Sequence, residues 1–282
     1  MTLDVVVPAL RRETIELLLE SLALNTVAPD AVSIVGAEID TSLAVFGLPV
    51  RLLRVRSDRY PIGDWDLALR RDVGVWFSEC THVLLLDDDL VASATLVEDS
   101  LALLKRQPFF WGHHRYIDFA PFTVAELSRL EPGRGRAREQ PPNAWHLWMS
   151  CYGGLFGASR DVVVEAGGFD IAFSGRSGEY QGLGKRLAHQ AGNGERVFVH
   201  EPPFAWHPEP GSPPWGERHE TNICADGHAV VDADIAGASA RRCTRCPWFR
   251  VIDVDALLAG KPLLPFDPGG VEISVELPLA RA

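Results

Sequence analysis

Long apolar runs are missing from this 282-residue sequence, and so is an excess of positive charge. No stretch of about 18 uninterrupted apolar residues occurs, so nothing in the chain reads as a membrane span. Lysines and arginines number 27 against 38 aspartates and glutamates, for a net charge of −11 and a pI near 5.3. A nucleic-acid protein usually carries a basic face, and this balance argues against one. It does not argue against a nucleotide ligand, because a bound metal ion supplies positive charge locally. Cysteine is scarce and odd in number, five in all. That usage in a mid-sized chain fits a reducing cytoplasm rather than a disulfide framework. The opening Met1-Thr-Leu-Asp4 lacks the basic segment of a signal peptide and leads directly into a strand. No internal repeat is visible.

What is present is an ordinary globular composition, 46% hydrophobic and 23% charged. The length allows one α/β domain or two small ones. Asp4-Val-Val-Val-Pro8 reads as a buried strand ended by proline. Residues 14–24 place Ile15, Leu18, Leu19 and Leu22 on one helical face, with Asn25 and Pro29 closing the helix. Further strands are predicted at 32–35 and 50–55, and helices at 64–78 and 93–104. Strands alternating with helices are the sequence form of a parallel, doubly wound sheet. Beyond the aromatic stretch 108–116, residues 131–142 shift to Pro, Gly, Arg and Glu and read as a long loop. A short helix at 161–166 ends on Gly167 and Gly168, and another runs over 183–190. The tail from about Pro208 is rich in Pro and Gly and ends on strand-like Val271-Glu-Ile-Ser-Val275.

The most informative stretch is Thr81-His-Val-Leu-Leu-Leu-Asp-Asp-Asp-Leu-Val91. A short apolar run of this kind predicts a strand buried on both faces. Aspartate is a poor strand former, so Asp87, Asp88 and Asp89 belong where the strand stops. In open α/β sheets that carboxyl edge is where ligands bind. Adjacent carboxylates repel one another unless a cation or donors stand between them. Oxygen ligands of this type suit Mg²⁺ or Mn²⁺ holding substrate phosphates. The competing reading is a solvated acidic turn.

Taken in order, Val5-Val-Val-Pro8, Arg71-Asp-Val-Gly74 and Leu86-Asp-Asp-Asp89 resemble the first half of nucleotide-sugar glycosyltransferases of the GT-A fold, the family-2-like group. Gly153-Gly-Leu-Phe-Gly-Ala-Ser-Arg160, Gly167-Gly-Phe-Asp170 and Gly178-Glu-Tyr-Gln-Gly-Leu-Gly-Lys-Arg-Leu187 resemble its second half. The last of these is similar to the C-terminal acidic motif of galactosyltransferases. The resemblance covers roughly residues 4–210. It implies a Rossmann-like, mostly parallel sheet flanked by helices, with a Pro/Gly-rich C-terminal extension. It divides the chain into a catalytic domain at 1–210 and an extension at 211–282. Within the former, 1–105 would be the nucleotide half and 106–210 the acceptor half.

The same resemblance implies roles. Asp87 and Asp89 match the Asp-x-Asp pair that holds a divalent metal on the diphosphate, with Asp87 also a candidate for the ribose. Pro8, Ala9 and Arg11 sit where the first loop borders the base, and Asp88 and Gly154 border the donor. Arg71 and Asp72 stand at an Arg-Asn pair, with Asp replacing Asn; a helix salt bridge is the alternative for Arg71. Glu179 matches the acidic motif whose carboxylate acts as base toward the acceptor hydroxyl, with Asp170 the neighbouring candidate. Here Tyr180 and Gly182 replace the acids that usually follow, and a helix-terminus carboxylate is the alternative for Glu179. His207, in Phe204-Ala-Trp-His207, matches a metal-binding histidine, with His200 its rival. The implied activity is transfer of a sugar from a nucleoside-diphosphate sugar, UDP by default, to an unidentified hydroxyl acceptor.

Separate from these, Cys224, His228, Cys243 and Cys246 form Cys-x3-His, fourteen residues, Cys-x2-Cys. Such spacing suits a structural Zn²⁺, and small buried thiols are the alternative. Trp145, His146, Trp148 and Tyr152 read either as an acceptor wall or as core. Two other functions fit a related architecture. A sugar nucleotidylyltransferase would carry a glycine-rich loop after the first strand, where Pro8-Ala-Leu-Arg-Arg12 has no glycine. A catalytically inactive binding relative is motivated by Tyr180 and Gly182.

Overall fold

A computed structural model of the chain describes residues 1–9, 12–39, 41–60, 67–118, 121–134, 136–137, 154–171, 179–190, 203–209, 230–235, 238–243, 249–251, 262 and 265–277. The chain opens with strand β1 (Leu3–Pro8), helix α1 (Arg12–Ala23), β2 (Ala31–Gly36), β3 (Val50–Arg56), α2 (Leu67–Trp76) and β4 (His82–Leu86). β1, β2, β3 and β4 are all parallel, in the spatial order β3-β2-β1-β4. β4 reads His82-Val-Leu-Leu-Leu86 and β1 Leu3-Asp-Val-Val-Val-Pro8, mostly apolar because both faces are covered. Leu3, Val5 and Val7 of β1 pack with Leu18, Leu19 and Leu22 of α1 on one face. Val6 packs with Leu69 and Val73 of α2 on the other.

The chain continues through β5 (Val91–Ala92), α3 (Leu96–Leu104), β6 (Phe109–Trp111), β7 (His113–Asp118), α4 (Val124–Ser128) and β8 (Arg136–Ala137). It then forms β9 (Leu155–Ser159), α5 (Arg160–Glu165), α6 (Glu179–Gln190) and β10 (Phe204–Glu209). Last come β11 (Val230–Ile235), β12 (Ala238–Cys243), β13 (Phe249–Val251) and β14 (Glu272–Glu276). Among the described residues the main sheet has seven strands, in the order β14-β3-β2-β1-β4-β9-β6. β9 is antiparallel to both β4 and β6. A second sheet, β5-β10-β7-β8, stands beside it, and β11-β12-β13 form an antiparallel sheet of their own. No described helix is long and apolar enough to cross a membrane.

Three features of the fold have identifiable physical causes. Arg71-Asp-Val-Gly74 lies inside α2, within the helix predicted over 64–78. Its glycine serves close packing: a Cβ on Gly74 would fall 2.1 Å from Val6 Cγ1, so the helix lies directly on β1. Gly74→Ala is expected to cost about 1–3 kcal/mol through overpacking, measured by chemical denaturation. β4 stops just before the aspartates, where their poor strand propensity predicts. The chain turns at residues 88–89, and Val91–Ala92 pair with β10 in the second sheet. Finally, the C-terminal strand of the extension is the antiparallel edge partner of β3, with Ile273 opposite Val55. Backbone pairing of that kind depends on which edge is open, and local sequence does not specify it.

Candidate functional site

The order β3-β2-β1-β4 makes the gap between the ends of β1 and β4 the switch point of the parallel sheet, where α/β folds bind ligands. Pro8 ends β1, and Ala9 follows it, donating its N–H to the Val35 carbonyl at 2.7 Å. Ala9 in turn accepts from Arg70 Nη1. On the other side of the gap β4 ends at Leu86, and Asp87, Asp88 and Asp89 follow, with Asp88 buried. Asp87 continues the ladder by donating its N–H to the Gly154 carbonyl at 3.0 Å.

Asp87 is held by Arg71, whose Nη2 donates to Asp87 Oδ1 at 2.7 Å. The arginine side chain is only 1% exposed while the carboxylate is 32% exposed. A buried guanidinium needs compensation on every side. Here the Tyr180 ring lies 4.4 Å from it and the Phe169 ring 5.8 Å. Cation–π contact of this kind is worth up to about 2 kcal/mol when desolvated. Tyr180, which stands where the resemblance expects an acid, is thus buried against the arginine that orients Asp87.

The second sheet supplies the opposite wall. Asp89 Oδ2 lies 3.4 Å from His207 Nε2 on β10. Parallel pairing of β10 with β7 sets His207 opposite Tyr116 and Ala205 opposite His114. The His207 ring is 4.9 Å from Tyr116 and 5.8 Å from His114. His114 Nε2 lies 3.2 Å from Tyr116 Oη. In the sequence His114 and Tyr116 stand out only as members of the aromatic stretch 108–116. Their spacing of two residues, which puts both on one strand face, was the available signal.

Asp72, adjacent to Arg71, takes no part in that cluster. Its Oδ1 accepts from the Phe169 N–H at 2.8 Å. Gly168 stands at φ +68°, and a Cβ there would meet Asp72 Oδ1 at 2.4 Å. Arg186 of α6 donates from Nε to the Ala166 carbonyl at 2.8 Å and from Nη2 to the Gly168 carbonyl. Burial pushes the Asp72 carboxyl well above its ordinary value, opposed by the Phe169 N–H and the Arg186 charge and reinforced by buried Asp170. The unfolded carboxyl releases its proton near pH 3.8 and the folded one at a higher pH. Stability therefore falls as pH rises between those two points. Asp72→Asn keeps an acceptor for Phe169, so thermal melts from pH 4 to 8 should show that decline reduced and no loss at neutral pH.

No known protein family and no curated protein matches the chain, but solved structures share its architecture. Residues 1–349 of S. aureus TarS align with a TM-score of 0.50 at 15% identity, over 74% of this chain and 61% of that one. The chain has the GT-A glycosyltransferase fold. The mannosyltransferase PcManGT from Pyrobaculum calidifontis, in complex with GDP-Man and Mn²⁺, aligns with a TM-score of 0.47 at 15% identity, over 74% of this chain and 57% of that one. TarS 1–349 in complex with UDP-GlcNAc aligns at 0.44 and 16% identity, over 73% and 56%. The chain thus spans less than two thirds of the length of each of these structures.

Within the GT-A frame, Arg71, Asp87 and Gly154 come together at the end of β4, and Asp89 meets His207 across to β10. Asp72 and Asp170 instead sit in the buried layer between α2 and α6. Glu179 is the first residue of α6, with its side chain outside the description. Arg11, Cys224, His228, Cys246, His200, Trp145, Trp148 and Tyr152 lie outside the described residues, as does the side chain of Cys243, which ends β12. Among the described residues no three His, Cys, Asp or Glu converge as a ready metal cage. Asp89 and His207 offer an oxygen and a nitrogen donor side by side. An incomplete set suits an ion that is held by one or two protein groups and takes its remaining ligands from substrate phosphates.

Proposed function

We propose that this chain is a metal-dependent glycosyltransferase that moves a sugar from a nucleoside-diphosphate sugar, UDP-linked by default, to an acceptor hydroxyl. The observation that carries this is the pair Asp87 and Asp89 at the sheet's switch point, one tied to Arg71 and the other facing His207. The catalytic unit is residues 1–210, with the nucleotide over 1–105 and the acceptor over 106–210. Asp89 and His207 would hold Mn²⁺ or Mg²⁺, with Asp87 beside them. When bound, the ion supplies positive charge to the departing diphosphate. Arg71 holds and orients Asp87 at the edge of the cleft. Glu179 takes the proton from the acceptor hydroxyl as the new glycosidic bond forms and the bond to diphosphate breaks.

A thermal-shift screen of UDP, GDP, dTDP and their sugars, with and without Mn²⁺, tests the reading. A ligand at 100 times its dissociation constant should stabilise the protein by roughly 2.7 kcal/mol. Donor hydrolysis by the same protein supports the transferase. Tight Mn²⁺-dependent nucleotide binding without any hydrolysis or transfer supports the inactive relative, the reading that buried Tyr180 favours. Failure of every nucleotide removes both. Zinc on Cys224, His228, Cys243 and Cys246 rests on their spacing alone. Elemental analysis should find a single Zn²⁺ per chain, and its absence with four readily alkylated thiols would sink that assignment.

A further inference from the structure

The guanidinium that holds Asp87 is held in turn by an aromatic ring. Arg71 Nη2 donates to Asp87 Oδ1 at 2.7 Å, and behind that bond the Arg71 side chain is buried. Its guanidinium carbon lies 4.4 Å from the centre of the buried Tyr180 ring and 5.8 Å from that of Phe169. A ring face attracts a cation, and the attraction grows where water is excluded.

The ring itself is packed in place. Tyr180 is the second residue of α6, and its spacing to Leu183 and Leu187 puts all three on the helix face that packs with Phe156 and Phe169. The Phe169 ring meets it edge-on at 5.1 Å, and the Phe156 ring of β9 does so at 6.1 Å. Further along α6, Arg186 ties the helix to the Ala166 and Gly168 carbonyls. A helix of the second half thus presses a ring onto an arginine of the first.

An apolar side chain of similar bulk would fill the same space. It would put hydrocarbon beside a buried charge and offer no compensation on that side. The guanidinium would then tilt, and the Asp87 carboxylate would tilt with it. The Asp87 backbone would stay, because its N–H bonds to the Gly154 carbonyl. The loss would fall on the direction of the carboxylate and not on the strand.

We infer that Tyr180 is a positioning residue for the donor site, aiming the Asp87 carboxylate at the metal end of the cleft through Arg71. This rests on the proposed metal-dependent nucleotide binding. It also gives α6 two tasks, since the helix that begins at the proposed base Glu179 also sets the donor carboxylate.

Calorimetry of UDP, GDP and dTDP, in Mn²⁺ and in EDTA, tests it on the parent, Tyr180→Leu and Tyr180→Phe. For the nucleotide that the parent binds, Tyr180→Leu should weaken binding in Mn²⁺ about tenfold, the scale of losing an outer partner of a metal site. Tyr180→Phe keeps the ring and should stay within about threefold of the parent. In EDTA the three proteins should bind alike or fail alike. A ring that served only folding would weaken binding equally in both conditions, or lower the melting temperature without touching the Mn²⁺ result. Either outcome, or a loss in Tyr180→Phe as large as in Tyr180→Leu, overturns the role of Tyr180 and leaves the transferase reading in place. A parent that binds none of the three nucleotides overturns both. If Tyr180→Leu does not fold, Tyr180→Met fills the space without a ring and decides in its place.

Discussion

Glu179→Gln should transfer sugar about 10²–10⁴-fold more slowly than the parent, with donor affinity nearly unchanged. The acceptor hydroxyl must lose its proton as the sugar moves, and a carboxylate within reach can take it. Glutamine keeps the size and most hydrogen-bonding capacity but has no basicity. Glu179 opens α6, whereas the nucleotide and metal are proposed to sit against β1 and β4, so donor binding should survive the change. Single-turnover kinetics with acceptor, alongside calorimetry of the donor, separates the two effects. Near-parent transfer would show that the base lies elsewhere. Asp170 is a poor substitute, because it is only 1% exposed, in the layer with Asp72 and Arg186.

Asp89→Ala should abolish the Mn²⁺ dependence of nucleotide binding while leaving the melting temperature nearly intact. Asp89 lies on the turn after β4, with its side chain 19% exposed and no part in the apolar clusters, so its loss leaves the core unchanged. Removing even an outer-shell partner of a metal typically costs about 10–100-fold in affinity, and a direct ligand should cost at least that. Titrating nucleotide at fixed Mn²⁺ measures the effect. If Asp89→Ala binds nucleotide in Mn²⁺ as tightly as the parent does, the triplet is a solvated acidic turn and the metal assignment falls.

The sequence by itself determined the layers and the edge. Apolar runs such as Val83-Leu-Leu-Leu86 can be buried only if both faces are covered, and with helices alternating between the strands the covering layers are helical. Aspartates that end such a run must emerge at its carboxyl edge, and Asp87 and Asp89 do so. Those features are local, set by backbone propensity and side-chain period, and one strand is enough to read them.

Tertiary structure alone decided which charges meet. Arg71 and Asp72 are neighbours in sequence, yet an α-helix turns about 100° per residue, at 3.6 residues per turn. One side chain therefore reaches Asp87 while the other reaches the Phe169 N–H, 97 residues away. His207 meets Asp89 and Tyr116 only because β10 inserts between β5 and β7. Pairing between distant strands is chosen by which backbone edges remain open. The pairing of the C-terminal β14 with β3 follows from that choice.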